Sequence, residues 1–231
     1  MNMGPLYDYI PLLLSGLGIT LSLAFLSFGL ALCMGALGCY GKLAGGRIFR
    51  SLANFYTLVL RGIPDLVMIF LVFYGGQKIV NLISDYMGRP AIDVSAFWAG
   101  VLTLGLYNGA FLTETFRASY LAIPKGQIES AKSLALPPFV FLRKVVLTPM
   151  IIGALSGINN VWQVLMKSTA LVSVIGLYDL VGLADKAGKS TRQPFPFFLA
   201  VVIFYFALTI LSSSFFSYLE RRTYKFRNRY Q

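Results

Sequence analysis

Few side chains in this sequence can do chemistry, and their types narrow the possibilities at once. Histidine is absent, which removes the commonest general base, the Ser-His-Asp and Cys-His arrangements and the commonest metal ligand together. No catalytic residue and no metal site is expected. Three polar groups remain inside otherwise apolar stretches. In Arg61-Gly62-Ile63-Pro64-Asp65 an Arg and an Asp stand four apart around a Gly and a Pro. One reading is a helix kinked at Gly62 and Pro64, whose freed carbonyls and paired charges line a polar route. The other is an Arg that snorkels to an interface, with Asp65 as its local partner. Glu114 and Arg117 are three apart in Thr113-Glu114-Thr115-Phe116-Arg117, one helix face, so they can pair. Asn160, Gln163 and Lys167 fall at i, i+3 and i+7, a single stripe, with Asn159 and Thr169 beside it. Lipid offers such a stripe no hydrogen bonds, so it is expected to face a partner helix or an aqueous cavity.

The elements that must position these groups are long and apolar. Of 231 residues 57% are hydrophobic and 13% charged, with a mean hydropathy of +0.71. That is more apolar side chain than the core of one soluble domain of this size encloses. No Asp, Glu, Lys or Arg occurs in Tyr9–Gly41, Val94–Thr113, Val145–Met166 or Gln193–Leu219, and each run can span a hydrocarbon core, which needs roughly 20 helical residues. A further candidate is interrupted by Arg61 and Asp65. The fold class is therefore all-α: a polytopic membrane protein of five spans at about 10–40, 52–83, 94–117, 143–167 and 194–219, the second broken. Ser168–Tyr178 is too short to cross again and reads as a continuation or re-entry of the fourth span. Ala31, Gly35 and Cys39 repeat every four positions, a small-residue face that lets helices approach. Cys33 and Cys39 turn to different faces and cannot pair within their helix. The first residues have no basic n-region, and no cleaved signal is expected.

The formal charge of +11 could indicate nucleic acid, but its distribution argues otherwise. With the N-terminus outside, the inner segments hold Lys42, Arg47, Arg50, Arg117, Lys125, Lys132, Arg143, Lys144 and the basic residues from Arg221 to Arg229, against Glu129 and Glu220 alone. The outer segments are nearly balanced. The positive-inside rule selects N-terminus out and C-terminus in, and no nucleic-acid partner is expected.

Between the third and fourth spans lies Pro124-Lys125-Gly126-Gln127-Ile128-Glu129-Ser130-Ala131-Lys132-Ser133-Leu134-Ala135-Leu136-Pro137-Pro138. Pro124 can open a turn, 127–136 has good helix formers and the proline pair stops it. Ile128, Ala131, Leu134 and Ala135 share one face. The alanines are too small to anchor in lipid but suit close approach to a soluble partner.

This segment resembles the EAA loop of ATP-binding-cassette importer permeases, the coupling helix that fits a cleft in the ATPase subunit. Glu129-Ser130-Ala131 stands for Glu-Ala-Ala and Leu134-Ala135-Leu136 for Leu-Gly-Leu. Two departures are that Ala135 replaces a glycine and that the Leu-Pro ending appears as Leu147-Thr148-Pro149, the proline one place late. Leu60 to Val67, Thr113 to Arg117, Trp162 to Ser173 and Ala187 to Thr191 are similar to the polar amino-acid uptake branch, and within it to Q-type permease subunits of histidine and lysine/arginine/ornithine importers.

The resemblance implies a single type I importer permease domain over 1–231 in a bacterial inner membrane, with a periplasmic N-terminus and a cytoplasmic C-terminus. It implies a second, M-type permease, two ATPase subunits carrying ATP and Mg, and a periplasmic amino-acid-binding protein, with no cofactor on this chain. Gly126, Glu129, Ser130, Ala131, Leu134 and Ala135 would couple to the ATPase. Asp65, Glu114, Asn160, Gln163, Lys167 and Thr169 would be gate or substrate contacts, for which acids and amides suit a cationic amino acid. Gly188-Lys189-Ser190 imitates the end of a phosphate-binding loop, but the glycine that loop needs at position 183 is Leu183. An ion-coupled secondary transporter, usually built from paired repeats, or a channel subunit are the alternatives.

Overall fold

The computed structural model describes residues 7–90 and 92–227, all of whose regular elements are helical. They are α1 (Ile10–Leu43), α2 (Arg47–Gly62), α3 (Asp65–Tyr86), α4 (Ala96–Leu121), α5 (Lys125–Ser133), α6 (Thr148–Ser168), α7 (Leu180–Thr191) and α8 (Pro194–Arg227). A helical turn at Pro138–Val140 and a π-helical segment, Phe141–Leu147, lead into α6, and a 3-10 segment, Thr169–Ile175, continues it. Five helices are long and apolar enough to cross a bilayer: Ile10–Leu43, Asp65–Tyr86, Ala96–Leu121, the continuous Pro138–Ile175 and Pro194–Thr223. Among the basic residues placed inside by their charge, the side chains of Lys225, Arg227 and Arg229 lie outside the described residues.

The interrupted second span resolves into two helices. Pro64 lacks an N–H and disfavours helical backbone at the residue before it, and Ile63 is accordingly extended at φ −109 and ψ 137. The apolar stretch Leu52 to Leu60 therefore belongs to α2, and the helix long and apolar enough to cross on its own begins at Asp65. Ser168–Tyr178 does not cross again: its 3-10 turns extend α6, and the chain reverses at Gly176, φ 91.

The core is built on close backbone approach between α1 and α4. A Cβ on Gly35 would lie 2.6 Å from that of Leu112, and one on Gly109 would lie 2.7 Å from that of Met34. Real side-chain carbons do not tolerate either distance, so both positions need glycine. Ala31 and Cys39 are buried on the same α1 face, while Cys33 is exposed. Around this pair, Phe116, Ile158, Trp162 and Leu165 join α4 and α6, and Ile69, Leu104 and Val172 join α3, α4 and the 3-10 segment. At one end of the bundle α7 is seated on α1 and α8 through Leu13, Leu180, Ala184 and Phe197. At the other end α5 packs against Phe141–Leu147.

Candidate functional site

At the α5 end of the bundle three helices are tied by charge. Lys42 Nζ at the end of α1 donates to Glu114 Oε1 on α4 at 2.5 Å and to Thr57 Oγ1 on α2 at 2.6 Å. Arg117 Nε donates to Glu114 Oε2 at 2.8 Å. The Lys42 and Glu114 side chains are 8% and 21% exposed. Both carboxylate oxygens of Glu114 are thus engaged, and the residue braces α1 against α4. The Glu114–Arg117 pair was legible at i, i+3; Lys42, 72 positions away, had no local signal.

Arg61 and Asp65 do not pair. The helix break between them removes the one-turn spacing. Arg61 turns its guanidinium over the Phe111 ring, 5.2 Å from the centroid. Asp65 Oδ2 accepts from Ser168 Oγ at 2.8 Å, joining the start of α3 to the end of α6, and Oδ1 accepts from the Leu66 N–H. Gly62 and Pro64 mark the break as expected, but as a helix end and not a kink. An open depression of about 740 Å3 lies beside α2 and is lined by Ser51, Asn54, Thr57 and Arg61 together with Phe55, Leu58, Gly62 and Phe111.

The stripe on α6 divides. Asn160 and Lys167 are exposed, and Ser156 lies on the same face. Gln163 turns aside, and its Nε2 donates to Ser213 Oγ on α8 at 3.1 Å. Thr169 is fully buried: its hydroxyl donates to the Met166 carbonyl and shares a hydrogen bond with Tyr205. It ties α6 to α8 and lines no open surface, because the 3-10 turn begins there and rotates it inward. Among the described residues no group of acids and cysteines could hold a metal ion.

Helix α5 is shorter than the sequence pattern suggests and starts earlier, covering Lys125–Ser133. It ends in two hydrogen bonds, Leu136 N–H to the Ala131 carbonyl and Ala135 N–H to the Lys132 carbonyl, with Ala135 in the left-handed region at φ 44. This is a Schellman cap whose usual glycine is an alanine. Ala131, expected on the docking face, is buried within the chain. Gly126, Glu129, Ser130, Leu134 and Ala135 are exposed, and Leu134 is 73% so. Pro149, one place late, follows the π-helical segment, and a π turn takes up one more residue than an α turn. Thr148 Oγ1 donates to the Arg143 carbonyl within it.

Asp179 lies outside the spans. It caps α7: its Oδ1 accepts from the Gly182 N–H at 2.9 Å. The residue is wholly buried, and burial pushes its carboxyl up to about 6.

Residues 34–225 match the family of binding-protein-dependent transport system inner membrane components. The chain belongs to that family. This permease is 42% identical over 217 residues to the histidine/lysine/arginine/ornithine transport system permease protein HisQ of Escherichia coli (strain K12), covering 94% of this chain and 95% of that one. To the octopine transport system permease protein OccQ of Agrobacterium tumefaciens (strain Ach5) it is 34% identical, over 91% of this chain and 90% of the relative. The permease superimposes on a crystal structure of an amino acid ABC transporter with histidines at a TM-score of 0.82 and 31% identity, covering 96% and 99% of the two chains. The fold is that of a type I ABC importer permease.

Proposed function

We propose that this chain is one transmembrane subunit of an ATP-driven importer for polar, chiefly cationic, amino acids, with its N-terminus periplasmic and its C-terminus cytoplasmic. The observation that carries this reading is α5. A short capped helix stands outside the spans at the end of the bundle where the basic residues gather, presenting Gly126, Glu129, Ser130, Leu134 and Ala135 while Ala131 anchors it to its own chain. Such a helix is a handle for a soluble partner. Two ATPase subunits, which carry ATP and Mg, grip this helix here and on a second permease of M type. Their closure on ATP moves α5, and its contact with Phe141–Leu147 passes the movement into α6. The helices then shift as rigid bodies between inward-open and outward-open states. A periplasmic binding protein supplies the amino acid to the outward-open state. Asp65, Asn160 and Lys167 line the route, and Gln163 and Thr169 hold α6 against α8. The substrate class follows from the systems named for histidine, lysine, arginine, ornithine and octopine among the relatives.

The test is co-purification of the assembled complex and uptake into vesicles, with histidine, arginine, lysine and ornithine in competition. Glu129→Ala should abolish stimulation of ATP hydrolysis by the loaded binding protein and reduce uptake, while that protein's affinity for its amino acid is unchanged. Normal coupled uptake in the variant would overturn the role of α5.

A further inference from the structure

Helix α2 carries a polar row that neither packing nor the Lys42–Glu114 brace uses. Arg47, Ser51, Asn54 and Arg61 recur at i, i+4, i+7 and i+14, with the apolar Leu58 between them at i+11, and all five are exposed. They lie on one face. Ala53 and Thr57 point into the protein, and Ile48 and Leu52 supply an exposed apolar flank. Lipid could receive that flank. It could not receive the row, because hydrocarbon gives hydroxyls and amides no partner, and Ser51 and Asn54 sit inside the helix, not at an end from which they could reach water. The row therefore needs polar company, from water or from a neighbouring helix, and it lines the open depression beside α2.

At the far end of the row stands Arg61. None of the described acids pairs with it: Asp65 is held by Ser168, and Glu114 by Lys42 and Arg117. Phe111 supports the guanidinium by its face, which leaves the N–H edge open to a planar acceptor. An open guanidinium fork on an aromatic support, with an amide two turns away in an open depression, is chemistry for a carboxylate, which it can bind bidentately.

We infer that Arg61 receives the α-carboxylate of the amino acid in transit and that the α2 row is a wall of the translocation path. The inference rests on the importer reading and assigns a subsite within it. A lipid phosphate offers the same oxyanion chemistry, so the experiment must separate the two sources.

The assembled complex is placed in nanodiscs of neutral phosphatidylcholine, with Cys33→Ser and Cys39→Ser removing the native thiols and Ser51→Cys as a reporter in the depression. Maleimide labelling of the reporter is timed with added L-arginine, L-lysine, L-histidine or L-argininamide. The three amino acids should slow labelling, and the amide, which lacks the carboxylate, should need on the order of ten to a hundred times more to do so, the range expected for a charge-assisted hydrogen bond. Arg61→Gln should make L-arginine and L-argininamide equivalent, and Arg61→Lys should restore part of the preference. A purely structural role for Arg61 would not move that acid-to-amide ratio. Equal protection by acid and amide with Arg61 present, an unchanged ratio in Arg61→Gln, or no protection by any amino acid would each overturn the subsite. Arg61-dependent protection by added phosphatidylglycerol, with none by amino acids, would assign the site to lipid and overturn it likewise. ATP-driven uptake is measured separately on the same complex. Protection without import would overturn the importer reading and leave the carboxylate site standing.

Discussion

Ala135→Gly should stabilise the end of α5, although glycine usually weakens helices. Ala135 sits at φ 44, where its Cβ crowds the backbone at a cost of about 1–2 kcal/mol. Glycine removes that cost but brings about 0.5–1 kcal/mol of additional unfolded-chain entropy. The difference leaves a gain of roughly 0.5–1 kcal/mol, felt only where the cap is made. Its readout is the exchange of the Leu134, Ala135 and Leu136 amides, which are bonded to the Ser130, Lys132 and Ala131 carbonyls. Hydrogen–deuterium exchange on the purified complex without nucleotide should show their protection rising about two- to fivefold. Ala135→Val, β-branched in the same conformation, should lower it below the parent. Ser130→Gly, which puts the same new residue at a right-handed helical position of α5, should lower it too. If Ala135→Gly leaves protection unchanged or reduces it, the left-handed cap is not what ends this helix.

Three further outcomes follow from the geometry. Lys42→Met leaves the Glu114 Oε1 atom without its cation in a largely buried position and should cost about 3 kcal/mol, read as a fall in unfolding temperature in detergent; a loss under 0.5 kcal/mol would make the brace a surface pair. Asp179 should make stability pH-dependent with an inverted sign. Its folded value of about 6 lies above the ordinary 3.8, so the folded state binds the proton more tightly and stability falls as pH rises from about 4 to 6, by at most about 3 kcal/mol. Asp179→Asn keeps the cap to Gly182 and should flatten that slope without loss at pH 7, which pH-resolved thermal unfolding tests. Gly35→Ala should cost about 1–3 kcal/mol by overpacking against Leu112, whereas Gly18→Ala, whose Cβ meets nothing within 4 Å, should be neutral or better in the same unfolding assay.

How much of this was legible in the sequence depended on range. The five apolar runs, the break at Pro64 and the small-residue face of α1 rest on composition and local steric rules, and they read directly. The Glu114–Arg117 pair also read locally, because three residues along a helix are neighbours. Its completion by Lys42 did not, since nothing local to Lys42 indicates which helix faces it. Ala131 is expected on the docking face of α5, but it is buried within the chain while Leu134 and Ala135 of the same face stay exposed, which depends on a tertiary neighbour that local spacing does not name. Thr169 reads in the sequence as a polar neighbour of the stripe, whereas the 3-10 segment that begins there holds it in the core. The α2 row at 47, 51, 54, 58 and 61 was readable from spacing alone.

The π-helical turn between α5 and α6 fixes a phase. One additional residue in a helix displaces everything beyond it by about 100° of rotation and 1.5 Å of rise. The azimuth at which Ser156, Asn160 and Lys167 emerge is therefore set, relative to α5, by Phe141–Leu147. Were those residues to relax into ordinary α geometry, the polar face of α6 would swing by more than a quarter turn while α5 stayed where it is. This short stretch is the joint at which the angular register between α5 and α6 is decided: deletion of one residue within it would let it close to α geometry with that register kept, whereas one inserted residue would misalign the two.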